Sequence, residues 1–384
     1  MRVVIVLLSC CLWCLPWRFV AAAARTVNLN DRPSKRRLAR MRPQVRASAS
    51  VNVDTADVAL RRQRQLKAAA SAPLVQRHFD ATTNSSVVML DVLPRYMWGW
   101  QPGVSGYCGE TSFQSHGIFY GNWISSDVVR SNADQSELLL GVNDADCANN
   151  LDFSYTKFDE TTEPTPQYVP YATFVKSQID AGNIVVTGVF EKMTVDNGDD
   201  QYDHIVPIIG YEVASAGATL PINGVFYHDL YLNATRYLAL PLMAQTRDQC
   251  SLSSDPTVQP FDYCIPATKT YAIALTGNVD ENSETMRMML QMPDWTEPDY
   301  SKEDAIHQPA VEYVVSAVIS GLTSGTAYTV LRFDQTATVP SSGFLQGPYT
   351  ARFDFTATGP IQSLAQFDSV RSDASVYYRC VLAS

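Results

Sequence analysis

The sequence predicts an α+β unit followed by an all-β sandwich, and three observations carry that prediction. The stretch CGETSFQSHGIFYGNWI (108–124) reads as a helix, and apolar runs of strand length follow it. Beyond residue 281 the chain is a series of short β runs with Gly, Pro, Ser and Asp in the turns and almost no helix signal. Charge also divides the chain. Residues 25–78 hold thirteen Lys/Arg against three Asp, whereas residues 79–384 hold fourteen Lys/Arg against thirty-six Asp/Glu, a balance of −22 hidden in a total of −10.

The elements follow in chain order. Arg2, the apolar run Val3 to Trp17 and the small residues through Ala24 have the layout of a secretory signal peptide, residues 1–24, and the run is too short to span a bilayer. No later window is apolar enough to cross a membrane. Residues 25–78, with SKRRLAR and LRRQRQLKAAASA, read as a largely disordered basic arm, either a solvated linker or a propeptide with dibasic sites at Arg36-Arg37 and Arg61-Arg62. A positive arm would be attracted to the acidic remainder of the chain. That acidity argues against a nucleic-acid partner.

Residues 79–280 form the expected α+β domain. SVVMLDVLPRYMWGW begins it, PYATFVKSQIDAGN has a helical pattern ended by Gly182, and IVVTGVF reads as a buried strand. HIVPIIGYE, GVFYHDLYLN and TYAIALTGNV are three further strands. Residues 281–384 form the expected sandwich from TMRMMLQM, VEYVVSAVISGL, TAYTVLRFD, YTARFDFTAT and ASVYYRCVLAS. Within it LTSGTAY (322–328) resembles the fibronectin type III tyrosine corner, in which a Tyr hydroxyl bonds nearby backbone.

Cysteine usage fits export. Removing the signal removes Cys10, Cys11 and Cys14 and leaves Cys108, Cys147, Cys250, Cys264 and Cys380, an odd number. If Cys108 is the unpaired thiol, the other four can form disulfides in three ways, and Cys250 to Cys264 is the most local closure. Sequons at Asn84 and Asn233 fit an exported glycoprotein. The chain is thus expected to be secreted or to reside in a secretory-pathway or lysosome-like lumen.

Cys108 is also placed for chemistry. A thiol attacks as thiolate, and a helix N-terminus lowers its pKa. Gly106 and Gly109 allow a tight turn and close approach of a substrate, while the charge of Glu110 opposes a nearby thiolate. Of five histidines, His78 lies at the end of the arm and His307 in an acidic connection. His116 lies eight residues along the same helix, about 12 Å from Cys108. His204 opens one strand and His228 sits in the next. Neighbours in a strand point to opposite faces, so two antiparallel strands can set His204 beside Asp229 on one face. Cys108, His204 and Asp229 then supply nucleophile, base and orienting carboxylate. Gln101 and the Cys108 backbone N–H would donate to the oxyanion.

Gln101 with GYCGETS, DHIVPIIGY and FYHDLY resembles the papain-like cysteine peptidases over roughly residues 85–280, closest to the branch of double-glycine leader peptidases. The resemblance implies a papain-like domain in which a helix carries the Cys and an antiparallel sheet carries the His and Asp. It implies the same roles for Cys108, His204, Asp229 and Gln101, a peptide or protein substrate, and no cofactor. Its departures are a longer Gln-to-Cys spacing, the absence of CGSCW and a lengthened turn, SAGATLPING, between the His and Asp strands. CxxC and HExxH patterns are absent, so no metal is expected. Three functions follow: a secreted thiol hydrolase made as a zymogen, a transglutaminase-like acyltransferase using the same triad, or a secreted binding protein without activity.

Overall fold

The computed structural model describes residues 75–80, 85–93, 95, 106–134, 137–191, 202–214, 217–230, 234–240, 263–292 and 310–383. The described residues are mostly β, with 44% strand against 20% helix, in two antiparallel sheets of which one is nearly barrel-shaped. This overturns the expected α+β architecture of a papain-like domain, a helix and a sheet, followed by a sandwich. Part of the difference is strand that the sequence reading placed elsewhere. The helix expected over 108–124 stops at Phe119, because Gly121 turns the chain at φ +80°, and Asn122–Ile124 becomes a strand.

Four helices lie among the described residues: α1 (Cys108–Phe119), α2 (Ser126–Asn132), α3 (Asp144–Asn150) and α4 (Tyr168–Asp180). The first sheet joins β1 (Val75–Asp80), β2 (Ser85–Leu90), β4 (Phe153–Phe158), β5 (Val185–Glu191), β6 (His204–Val213), β7 (Ile222–Asp229), β8 (Ala234–Ala239), β9 (Tyr263–Cys264) and β10 (Ala272–Asn278). Its order is β1-β2-β6-β5-β10-β4, with β7 and then β8 added beside β6, and β9 beside β5. The last residues of the basic arm, from Val75, thus pair with β2.

Opposed residues in an antiparallel ladder share a face, so the register assigns each side of the first sheet. Thr187 opposes Val206, and Val189 opposes His204. That face is covered by α4: the Tyr171 hydroxyl donates to Thr187 Oγ1 at 3.0 Å, and the Tyr211 hydroxyl donates to Asp180 Oδ1 at 2.7 Å. Gly188 opposes Ile205 on the other face, where the Tyr202 ring fills the space a Gly188 side chain would take. Tyr202 donates to the Leu140 carbonyl, and Lys157, opposite Ile273, pairs with Asp144 of α3 at 3.1 Å. Leu138 in turn lies against Gly109 of α1. Helices α1, α2 and α3 therefore form the layer over this second face, with α1 along β6.

The second sheet joins β3 (Asn122–Ile124), β11 (Thr285–Gln291), β12 (Glu312–Ser320), β13 (Ala327–Phe333), β14 (Ala351–Thr356), β15 (Ile361–Arg371) and β16 (Ser375–Leu382) in the order β14-β13-β16-β11-β12-β15, with β3 against β16. β3 thus carries a strand from the Cys108 region into the C-terminal sheet. Arg379, fully buried on β16, pairs with Asp152 at 2.8 Å and donates to Asn122 Oδ1 at 2.8 Å. Arg287 on β11 donates to the Gly182 carbonyl and lies over the rings of Phe119 and Tyr120. Within the sheet the Thr323 N–H donates to the Tyr328 hydroxyl at 2.9 Å, the backbone bond that the tyrosine corner calls for. No described helix is long and apolar enough to cross a membrane.

Candidate functional site

Cys108 is the first residue of α1 and is half-buried. Its sulfur is a thiol, not half of a disulfide. Tyr107 occupies the N-cap without a side-chain cap, and the first bond within the helix runs from the Thr111 N–H to the Tyr107 carbonyl. The first turn therefore presents backbone donors at the positive end of the helix dipole. Cys147 and Cys380 are thiols as well, which corrects their expected pairing in disulfides. Both are buried, and burial pushes Cys147 up and Cys380 up to about 12. Cys264 is disulfide-bonded.

Glu110 does not stand as a bare charge beside Cys108. It is fully buried, and its Oε1 accepts from Arg130 Nε at 2.8 Å and from the Leu138 N–H at 3.0 Å. Burial raises its carboxyl and Arg130 opposes that rise. Arg130 also donates to the Gly106 carbonyl at 2.5 Å and lies 3.5 Å from the centroid of the Tyr107 ring. The Tyr107 hydroxyl donates to Asp127 Oδ1 at 3.0 Å.

The two strands expected to carry base and orienter are antiparallel neighbours, with Ile208 opposite Tyr227. Alternation from that pair sets His204 and Asp229 on one face, as the sequence suggests. Their surroundings are aromatic and charged. His204 is 1% exposed and stacks on Tyr263 with centroids 5.5 Å apart, and Tyr263 also meets Tyr227 edge-on. Burial lowers the His204 pKa to about 3. Asp229 takes the Arg236 guanidinium at 3.0 Å, and Arg236 lies over Tyr263. This aromatic and charged cluster is on the α4 face. The register sets His204 and Asp229 on one face, where His204 stacks on Tyr263 and Asp229 binds the arginine that covers the same ring.

Alternation turns His228, between Tyr227 and Asp229, to the α1 face. It is 1% exposed, its Nδ1 has no hydrogen-bond partner, and burial lowers its pKa to about 4. In sequence His228 stands beside Asp229 on one strand and so diverges from it, and the face that a helix covers is set by tertiary packing. His116 serves structure instead: its ring nitrogens meet the Ser112 carbonyl at 2.8 Å and the Ile184 carbonyl at 3.1 Å, tying α1 to the start of β5. Gln101, Asn84, Asn233, Cys250 and His307 lie outside the described residues. Among the described residues no group of His, Cys, Asp and Glu could hold a metal ion. No family model, curated protein or solved structure matches the chain.

Proposed function

We propose that the chain is an exported thiol hydrolase that attacks peptide or amide carbonyls through Cys108. The observation that carries this reading is the contrast among the described thiols: Cys108 sits half-buried at the head of a helix, while Cys147 and Cys380 are sealed in the core. In such a reaction the sulfur bonds the carbonyl carbon, first-turn N–H groups receive the developing oxyanion, and the amine leaves with a proton from an imidazole. Water then hydrolyses the thioester. Capture of the same thioester by an amine instead of water would make the enzyme an acyltransferase. His228, turned toward the α1 face, is the base to test first, with His204 as the comparison.

A second reading has its own observation. The His204–Tyr263 stack and the Asp229–Arg236 pair engage the residues expected to serve Cys108. A secreted binding protein without activity would tolerate that arrangement.

The pH dependence of Cys108 alkylation in the folded protein, read by peptide mass spectrometry, separates the two. A nucleophile labels well below the pKa of an ordinary thiol, about 8.5, and a His228→Ala or His204→Ala variant slows it. Labelling with an ordinary thiol profile, unchanged in both variants, supports the binding protein.

A further inference from the structure

We propose that Arg130 is a positioning residue for Cys108, one side chain of α2 that holds the residues on both sides of it. The inference rests on the reading of Cys108 as a nucleophile. The Arg130 guanidinium donates to the Gly106 carbonyl, two residues before Cys108, and to the Glu110 carboxylate, two residues after it. It also covers the ring of Tyr107, whose hydroxyl is held by Asp127 one helical turn before Arg130. Gly106, Tyr107 and Glu110 are thus tied to α2 from one direction.

The chemistry requires arginine. A planar fork with several N–H donors can meet a carbonyl and a carboxylate at once while its face lies on an aromatic ring. A lysine has three donors on a single nitrogen, without the planar fork that reaches two separated acceptors or the flat face that lies on a ring. The contacts also resolve the electrostatics of the turn. Glu110 puts a carboxylate in the first turn of the helix that Cys108 begins, and a thiolate there is opposed by like charge. Arg130 is the cation bonded to Glu110, so it cancels the carboxylate on the helix of Cys108 itself. The side chains at positions two apart on a helix do not face each other, so Cys108 stays half-buried while Glu110 is drawn inward to Arg130 and Leu138.

The test uses the full secreted chain and the rate of Cys108 alkylation as a function of pH. Arg130→Met is expected to raise the labelling midpoint by about one unit, which is about a tenfold slower reaction at neutral pH. Adding Glu110→Gln to Arg130→Met removes the stranded charge and is expected to return the midpoint most of the way to that of the parent. Arg130→Lys keeps the charge and loses the fork, and is expected to fall between parent and Arg130→Met. Circular dichroism and melting confirm folding, and the double variant, which carries no unpaired buried charge, serves if Arg130→Met does not fold. A midpoint in folded Arg130→Met equal to the parent, or a double variant no closer to the parent than the single, overturns the positioning role. If the parent labels as an ordinary thiol and both histidine variants leave it unchanged, the hydrolase reading fails, while the shifts among the Arg130 and Glu110 variants still decide the positioning role.

Discussion

Three buried imidazoles make the protein sensitive to acid. Burial lowers His204 to about 3 and His116 and His228 to about 4, from an ordinary 6.5. His116 shows the physics most plainly. A neutral imidazole has one N–H, so of its two carbonyl contacts only one is a hydrogen bond, yet burial outweighs the second bond that an imidazolium would gain. The folded state binds fewer protons than the unfolded chain below pH 6.5. The stability these residues contribute is therefore full above about 6.5 and is lost as pH falls toward 4 and below. Glu110 and Asp152, whose carboxyls burial raises, act in the opposite sense. Urea midpoints are expected to drop from pH 7.5 to pH 4.5, and His204→Phe, which keeps a ring against Tyr263, is expected to lessen the drop. An identical acid slope in parent and variant would contradict this. The chemistry of single residues was partly legible in sequence: Glu110 stood out as a misplaced charge beside Cys108, but its partner lies twenty positions away on a helix that the sequence reading did not identify.

Helix α1 shows why strand patterns were easier to read than packing. Alternation predicted that His204 and Asp229 share a face, and the β6–β7 register agrees. Gly182, at φ +81°, ends α4 where the sequence placed the stop. Alternation says nothing about which face a helix covers, and α1 packs along β6 by contacts that no periodicity records. Gly109 carries the same lesson. Its smallness read as room for a substrate, but a Cβ there would lie 2.7 Å from the Leu138 carbonyl oxygen and 2.8 Å from Leu138 Cδ2. Helix propensity alone predicts that Gly109→Ala stabilises α1 by about 1 kcal/mol. Overpacking against a backbone carbonyl costs about 1–3 kcal/mol, so the expected sign is reversed. The thermal midpoint of Gly109→Ala should fall, and the pH profile of Cys108 labelling should change with it, because Leu138 also donates its N–H to Glu110. A raised midpoint would show that the segment around Leu138 yields freely.

At the scale of the molecule, the two sheets are held together by groups that sequence proximity does not connect. β3 leaves α1 after a single turn and enters the C-terminal sheet beside β16, so the helix that bears Cys108 is continuous with that sheet. Arg379 spans the same junction, with Asp152 and Asn122 on one side and its own strand on the other. Arg287 binds the end of α4 at Gly182 and stacks on the end of α1. A shift from helical to β pattern near residue 281 was visible in sequence, but a three-residue strand and two long-range arginines carry no periodicity by which to recognise them. Their consequence is cooperativity. Denaturant unfolding followed by tryptophan fluorescence and by far-ultraviolet circular dichroism should show one coincident transition, because neither sheet can lose its order without stranding buried charge from the other. Arg379→Met should leave Asp152 without its cation and lower stability by about 3 kcal/mol, shifting both probes together. Two separated transitions in the parent, or an Arg379→Met effect confined to one probe, would show instead that the sheets unfold as independent units.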